Sequence, residues 1–375
     1  PGMGQIDEAR FATSVTGGLT TRVAVMAQQP LINAAREAQQ AQMRLGADMG
    51  DTAWRGAQAD LALRTTERYF ALAVAQERVR VVERQLTAVT RSRTEAHDRY
   101  QLGASPITDT HEADAALAGV RAQQSAARLE LGVQRDRLAG STGLAQPTAR
   151  LPAQPPAPVD DLPAWLAAAE ADHPRLRLLT QAVAVAEQKL RQHSVAGRAT
   201  LDLVAQAGHD RIAGSGDFGS ARNRSLNGMV GVQLNIPLYS GGMREAQERE
   251  AAERLNQARA ELDLAREEVA QQVRATWQGL QTGAARLAAL QEGLTASRAR
   301  ADATRLGREV GDRTLLDVLN AENAQADAEL ALAQARSDQV LTRLRLAALA
   351  DRLDEALLAQ VNALLASEAG PEAAR

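Results

Sequence analysis

The sequence predicts a mainly α-helical protein with a small β part, in which long antiparallel coiled-coil hairpins occur in two tandem repeats. The first observation is compositional: helix-forming residues such as alanine are abundant, whereas aromatic residues make up only 2% of the chain. The second is a pair of long proline-free stretches whose apolar residues are spaced three and four apart, as in a coiled-coil seam. The third is a turn sequence that occurs twice, with Gly103 and Gly311 equivalent and about 208 residues apart.

Composition also limits the classes of function. The net charge is −3 and Lys189 is the only lysine, so we expect no nucleic-acid partner. The absence of cysteine excludes disulfides, zinc–thiolate sites and a thiol nucleophile within this chain. No run of about 18 apolar residues is present, so a role in a membrane would have to use β-strands.

The first repeat is predicted to begin with a loop and a strand. Residues 1–17 are rich in glycine and polar residues, and the alternating pattern of residues 18–27 favours a strand that Pro30 ends. Residues 33–102 contain no proline and are predicted to form one helix. At 1.5 Å per residue, this helix would be on the order of 100 Å long. Its apolar seam consists of Leu72, Ala75, Val79, Val82, Leu86 and Val89.

A turn and a return helix follow. Gly103 allows the positive φ that closes a helix C-terminus, Ser105 is the candidate N-cap, and Pro106 is predicted as the first helical residue. The return helix is expected to run from Pro106 to about Leu138 and to stop in the glycine-containing residues 140–143. The six prolines that follow within residues 146–163 predict an irregular connection.

The second repeat is predicted to contain a β-hairpin before its long helices. A short helix is expected over residues 161–172 and a second one over residues 174–193. Residues 200–207 and 229–236 alternate as strands do, and the Gly-, Ser-, Asn- and Arg-rich residues 212–227 are predicted as a long polar loop between them.

The second long hairpin is expected from residue 243 onward. Its first helix covers residues 243–306 and carries the seam Leu255, Ala258, Leu262, Ala265, Val269, Val273, Leu280, Leu287 and Leu294. Gly307 and Gly311 allow the chain to turn, and the spacing of Thr314 and Asp317 is that of a capping box. The return helix then runs to about Leu353.

These elements predict four parts of the chain. Residues 1–146 form the first repeat, residues 147–163 the proline-rich linker, residues 164–366 the second repeat, and residues 367–375 a frayed tail. Compared with the second repeat, the first lacks a helix and a strand at its start. We therefore expect the first repeat to be truncated at its N-terminus.

No constellation of residues predicts catalysis. The five histidines His97, His111, His173, His193 and His209 are scattered, and no pair has zinc-ligand spacing on one helical turn. Residues 214–216 contain two glycines, but no Gly-Lys-Ser/Thr follows as a phosphate loop requires. We expect no catalytic residue, no cofactor, no metal site and no enzymatic activity.

Several motifs resemble one family. The strand-to-helix entry Pro-Leu-Tyr-Ser-Gly-Gly at residues 237–242 and the internal duplication are similar to those of the TolC-type outer-membrane efflux and secretion channels. The tips Gly-x-x-x-Ile-Thr-Asp at residues 103–109 and Gly-x-x-Thr-Leu-Leu-Asp-Val-Leu at residues 311–319 resemble that family too. The resemblance extends from about Gly18 to Leu353.

The resemblance implies an assembly and a location. It implies a homotrimer in the lipid of the Gram-negative outer membrane, in which each protomer contributes four strands to one twelve-stranded transmembrane β-barrel. A periplasmic α-barrel built from the helical hairpins would continue that barrel and end in a tip that can close. Residues 161–172 and the segment after Leu353 would belong to an equatorial girdle.

Asp317 and Asn320 have two possible roles. They lie three residues apart on one helical face, where Asp317 alone is explained as a helix cap. The resemblance implies instead a constriction ring that selects cations, in which two aspartates are usual, so that Asn320 halves the charge. Both interpretations remain open from the sequence.

The resemblance also implies a gate and a docking site at the tips. Thr108, Asp109 and Arg313 match positions that hold the closed tip through salt bridges and hydrogen bonds, and Arg308 stands where the family often has tyrosine. In a closed state Arg313 would pair with Asp109 or Thr108 of a neighbouring hairpin, whereas the alternative is exposed capping groups whose pairing contributes almost nothing. The implied adaptor contacts, which are also explained as plain helix C-caps, are Leu102, Gly103, Ala104, Val310, Gly311 and Asp312.

The function implied is a passive exit duct of a tripartite efflux or type I secretion system. An inner-membrane transporter would drive the substrate, and a periplasmic adaptor would dock on the tips. The sequence does not identify the cargo. The alternative is a soluble periplasmic coiled-coil adaptor or scaffold. Adaptors are expected to carry a lipoyl-like β domain inserted in one hairpin, and this chain has two hairpins without such an insert.

Overall fold

The computed structural model describes residues 17–154, 161–216 and 219–366. Within those ranges the chain forms long helices and one small antiparallel sheet. In chain order the elements are β1 (Gly17–Ile32), α1 (Ala34–Gln101), α2 (Ile107–Thr142), α3 (Leu162–Asp172), α4 (Pro174–Ser194), β2 (Thr200–Gly216), β3 (Gly219–Asn235), α5 (Met243–Glu309), α6 (Leu315–Leu349) and α7 (Glu355–Ala366). The loop predicted over residues 1–17 lies outside the described residues except for Gly17, which begins β1. The tail predicted over 367–375 lies outside them as well.

The two long helices confirm the apolar spacing. In α1, Leu72, Val82 and Val89 are at most 3% exposed, while Val79 and Leu86 of the same predicted seam are only partly buried. In α5, every predicted seam residue from Leu262 to Leu294 is buried. A repeat of three and four residues therefore locates the buried face of each long helix correctly, because it matches the helical period.

Contacts divide the chain into two units. The sheet unit comprises Pro1–Ala47 and Ala182–Arg259, and the helical unit comprises Asp48–Gln181 and Ala260–Arg375. The helices α1, α4 and α5 each contribute residues to both units. Among the described residues, none of the helices is both long and apolar enough to cross a membrane.

In the sheet unit the strands pair in the order β1-β2-β3, all antiparallel. The predicted end of β1 at Pro30 is wrong, because the strand continues to Ile32 with a shift in register between Pro30 and Ile32. β1 has a neighbour on one side only within the described chain, and an edge strand with a bulge accommodates a residue that has no N–H to donate.

The long polar loop predicted over residues 212–227 is also wrong. Ile212 pairs with Asn223 and His209 with Leu226, so both strands continue through that segment, and only residues 217–218 between them lie outside the described chain. Ladder hydrogen bonds are made by the backbone, so polar side chains on an exposed sheet do not prevent pairing.

In the helical unit α6 packs against α1, α2 and α5. One buried cluster joins α1, α2 and the start of α6 and consists of Val82, Val89, Ala96, Ala113, Leu117, Val120, Leu315 and Leu319. A second cluster, Leu287, Leu294, Leu332 and Ala335, joins α5 to α6. A third joins α1, the end of α6 and α7 and consists of Phe70, Val340, Leu344 and Val361.

The ends of several helices differ from the prediction. α2 continues past Leu138 to Thr142, and Gly143 closes it with a φ of 74°. α6 ends at Leu349, four residues before the predicted end, and Asp351 has a φ of 53°. The following residues form α7, which the sequence did not predict as a helix, and its Val361 belongs to the cluster around Phe70. Tertiary contacts decide these boundaries, because a short apolar run has no distinctive period.

Candidate functional site: the two helical tips

The first tip joins α1 to α2 through residues 102–106. Gly103 has a φ of 70°, and its N–H donates to the carbonyl of Tyr100 at 2.9 Å. The next N–H, that of Ala104, donates to the carbonyl of Arg99 at 2.7 Å. A positive φ at glycine costs little, so the turn satisfies the last carbonyls of α1 without strain.

The second tip joins α5 to α6 through residues 310–314 and has the same hydrogen-bond pattern. Gly311 has a φ of 88°, and its N–H donates to the carbonyl of Arg308 at 3.1 Å. The N–H of Asp312 donates to the carbonyl of Gly307 at 2.8 Å. Equivalent sequence at the two tips therefore produces equivalent local geometry.

The helices that leave the tips begin differently. The capping box predicted at the second tip is confirmed: the N–H of Asp317 donates to Thr314 Oγ1 at 3.1 Å, and the N–H of Thr314 donates to Asp317 Oδ2 at 3.0 Å. At the first tip the predicted N-cap is wrong, because Pro106 holds that position and makes no side-chain cap. Ser105 Oγ is instead buried, without a hydrogen-bond partner in the described part of the chain.

One ion pair connects the two tips. Arg308 Nη2, at the end of α5, lies 3.6 Å from Asp109 Oδ2, in the first turn of α2. The side chains are 10% and 20% exposed, so this pair is more shielded from solvent than most ion pairs of the helical unit. The cluster of Ala113, Leu117 and Leu315 packs α2 against α6 and brings the two tips together. Arg308 and Asp109, two predicted gate residues, are thus in contact within one chain.

The other two predicted gate residues are not part of that pair. Thr108 is exposed at the start of α2, and Arg313 is exposed in the second tip. The side chain of Arg313 packs on its own turn, since a Cβ added to Gly307 would lie 2.8 Å from Arg313 Cγ. Arg313 is therefore placed beside Gly307 in this chain, and no contact between Arg313 and Asp109 is found among the described residues.

Asp317 and Asn320 lie on α6, one turn after the second tip. Asp317 is half-buried and Asn320 is exposed. Hydrogen bonds from the backbone N–H and the hydroxyl of Thr314 lower the pKa of Asp317, and the charges of Arg313 and Arg300 lower it further. Asp317 Oδ1 takes no hydrogen bond from the part of the chain that the structure describes, so the capping role leaves one carboxylate oxygen available.

The six residues predicted as adaptor contacts all lie on the surface. Leu102 is 83% exposed and Val310 is 69% exposed, and their neighbours in the tips are exposed as well. Each tip therefore presents one large apolar side chain beside a glycine turn. An exposed apolar residue at this position contributes nothing to the core of the described chain.

Two buried glutamates of α6 form ion pairs that the sequence did not predict. Glu322 and Glu329 are each 8% exposed, and they pair with Arg305 and Arg298 of α5. Arg84 of α1 also pairs with Glu329. The signal was present, since both the two glutamates and the two α5 arginines are seven residues apart, which is one coiled-coil repeat.

The described residues contain no group of three or more metal-ligating side chains. What the tips contain is one ion pair, one capping box and exposed apolar residues, none of which is arranged as an acid, a base or a nucleophile.

Comparison with known proteins identifies the family. The family model described as outer membrane efflux protein matches residues 165–351. The outer membrane efflux protein BepC of Brucella suis is 33% identical over 261 residues, which are 69% of this chain and 56% of BepC. The alkaline protease secretion protein AprF of Pseudomonas aeruginosa is 29% identical over 330 residues, which are 86% of this chain and 68% of AprF. The chain thus spans little more than half the length of BepC.

The fold agrees with that assignment. The structure of the outer membrane protein VceC of Vibrio cholerae superimposes with a TM-score of 0.70 at 15% identity, covering 90% of this chain and 87% of VceC. At that identity the superposition shows the fold alone. With the family model and the relatives above, it places the chain in the outer membrane efflux protein family.

Proposed function

We propose that the protein is an outer-membrane exit duct, a passive channel through which substrate leaves the periplasm. The observation that carries this proposal is the meeting of two exposed tips at one end of a helical unit, joined by Asp109 and Arg308. If several copies arrange these paired tips around one axis, the tips enclose an opening. The width of that opening then depends on contacts among the few tip residues. The proposed duct performs no chemistry and needs no cofactor.

Its cargo and partners are proposed from relatives. The name of BepC refers to efflux and that of AprF to secretion of an alkaline protease, so both cargo classes remain candidates. We propose an inner-membrane transporter as the source of the substrate. A periplasmic adaptor would dock on the tips through Leu102, Gly103 and Ala104 and through Val310, Gly311 and Asp312, because Leu102 and Val310 expose apolar side chains there.

The sheet unit supports a homotrimer in outer-membrane lipid. β1 and β3 each have one long edge without a partner in the described chain, and such edges readily pair with another copy. Their apolar side chains are largely exposed, for example Leu19 at 72%, Val25 at 69% and Val230 at 76%. Three copies that join their sheets in a closed ring would satisfy these edges and place the apolar side chains in lipid.

We further propose that the chain is a tandem duplication with the divisions at residues 146 and 163. The matching hydrogen bonds at Gly103 and Gly311 support it. The soluble adaptor alternative receives no support, because the connections 102–106 and 310–314 leave no room for a domain inserted in either hairpin.

The proposed constriction consists of Asp317 and Asn320 from three copies. The free Oδ1 of Asp317 and the exposed amide of Asn320 supply the oxygen atoms that divalent cations prefer. The proposed gate consists of Thr108, Asp109, Arg308 and Arg313: Arg308 and Asp109 link the tips within one copy, and Arg313 reaches a neighbouring copy.

Conductance of the purified protein in planar bilayers tests the function and the ring together. A pore should form, and divalent cations should block it. Asp317→Asn, which keeps a side-chain acceptor for Thr314, should weaken the block roughly tenfold by removing three converging charges, and Asn320→Asp should strengthen it. Asp263→Ala, which removes a 72% exposed carboxylate paired within α5, is the matched control and should leave the block unchanged.

The lowered pKa of Asp317 sets the pH dependence of block by divalent cations. A depressed pKa in the folded state keeps the carboxylate ionised as pH falls, so block should be constant from pH 7 to pH 5 and weaken only below the ordinary aspartate value of about 3.9. The stability that the cap contributes is lost in the same low-pH range. Block that persists unchanged in Asp317→Asn would return Asp317 to a capping role alone. Block that disappears near pH 6 would mean that repulsion among the three carboxylates outweighs the hydrogen bonds from Thr314. Absence of any pore would contradict the duct.

A further inference from the structure

A polar cleft of about 840 Å³ lies in the helical unit, away from the tips. It is bounded by one face each of α1, α5 and α6 and by residues 148–151, which follow α2. Its volume falls within the range of small-molecule sites. Neither the proposed gate nor the proposed ring includes any of its residues.

The cleft concentrates positive charge. Its arginines are Arg80, Arg84, Arg150, Arg298 and Arg336. Only two acids, Glu77 and Glu329, lie with them, which leaves an excess of three positive charges. The chain as a whole has a net charge of −3, so this local excess is opposite in sign to the protein. Such a concentration inside a recess attracts anions.

The buried Glu329 holds two of the arginines in place. Its side chain is 7% exposed, and it pairs with Arg84 of α1 and, at 3.2 Å, with Arg298 of α5. The carboxylate also accepts a hydrogen bond from Gln325 at 3.3 Å. Two guanidinium groups on different helices are thereby fixed by one buried anchor, which lowers the entropy cost of using them to bind a ligand.

Arg84 and Arg298 retain guanidinium donors that Glu329 does not use. A guanidinium has five N–H donors, and Glu329 accepts from one nitrogen of each of its partners. The side chains of Arg84 and Arg298 remain 54% and 52% exposed. Arg336, two turns further along α6, donates to Gln291 at 3.3 Å and lines the same cleft.

We propose that this cleft binds a small multivalent oxyanion of the phosphate and pyrophosphate class. The planar guanidinium forks of Arg84, Arg298 and Arg336 match the edges of a phosphoryl group, and the charge excess of three matches a multivalent ligand. A monovalent anion would neutralise only part of that excess. Its lining includes none of the residues of the proposed gate or ring.

Isothermal titration of the purified protein with inorganic pyrophosphate tests the site. One saturable site per chain is expected at low salt, weakening as sodium chloride is raised because both partners are charged. Arg336→Gln should weaken binding about tenfold by removing one charge-assisted contact. Arg336→Lys, which keeps the charge without the fork, should weaken it less. Thermal unfolding of each variant confirms that the fold is retained.

Arg64→Gln is the matched control. Arg64 is 59% exposed and pairs with Asp60 within α1, outside the cleft, so its removal subtracts the same charge and should leave binding unchanged. If Arg64→Gln and Arg336→Gln weakened pyrophosphate binding equally, the anion would be attracted by the overall charge of the protein and not by the cleft. That result would overturn the proposed site. No heat with millimolar pyrophosphate would overturn it too. Binding of a polyglutamate peptide without binding of pyrophosphate would assign the cleft to an acidic protein segment and contradict a small-anion ligand.

Discussion

At the scale of single residues, the contact between Asp109 and Arg308 is the link between the tips that the structure shows directly. The two side chains belong to different hairpins, and neither is more than 20% exposed. An ion pair of this kind contributes little alone, but a trimer would contain three copies. Small contributions of that size are enough to bias an equilibrium between a closed and an open tip.

Arg308→Ala should therefore open the tip. Loss of three pairs removes about 1–3 kcal/mol of closed-state stability, which shifts the closed-to-open ratio about tenfold or more. Single-channel conductance and uptake of large antibiotics by cells should both rise, and Arg313→Ser should act in the same direction. Arg99→Ala is the control, because Arg99 pairs with Glu95 within α1 beside the same tip. Parental conductance in an intact Arg308→Ala trimer would show that packing alone holds the tip shut.

At the scale of elements, each tip depends on one glycine with a positive φ and on the helix caps around it. Gly311 has a φ of 88°, where a side chain is strained even though its added Cβ would meet no atom of the chain. Gly293, inside α5, likewise has open space around an added Cβ, but its backbone is helical. The same substitution therefore has opposite expected effects at two positions of one hairpin.

Gly311→Ala should destabilise the protein by about 1–2 kcal/mol, since alanine is unfavourable in the left-handed region. Gly293→Ala should stabilise it by up to about 1 kcal/mol through helix propensity. Thermal unfolding of the two variants under identical conditions measures the difference. A Gly311→Ala protein as stable as the parent would mean that the tip has another accessible conformation.

At the scale of the whole molecule, the sheet unit leaves much of its backbone and apolar surface without contacts. β1–β2–β3 is an open sheet with two long edges in the described chain. Leu226, Val232 and Leu234 of β3 are 85%, 63% and 60% exposed. A sheet with such edges is expected to associate rather than to remain alone in water.

The detergent-solubilised protein should be a trimer of the 40.0 kDa chain. Light scattering with correction for bound detergent measures the protein mass, and cross-linking confirms the number of chains. Dilution should not yield a folded monomer, because separation exposes both edges of the sheet. A stable monomer with an intact sheet would contradict the proposed closed ring of strands.

The sequence alone determined the long helices, one capping box and the glycine turns. The seam residues Leu72, Val82 and Val89 follow the helical period, and Thr314 and Asp317 have a spacing that specifies their own hydrogen bonds. Such features depend on residues close in the chain, so sequence reasoning could find them. Ser105 shows the limit of local rules, because the adjoining Pro106 holds the N-cap position instead.

Only the tertiary structure decided the pairings between distant segments. It placed β1 beside β2 and continued β2 and β3 through residues that had been predicted as a loop, because backbone ladders depend on a partner strand more than on side-chain type. It also brought Arg308 to Asp109 and anchored Arg84 and Arg298 on the buried Glu329. Each of these contacts joins residues far apart in the chain, where packing of whole helices sets the distance and no local pattern records it.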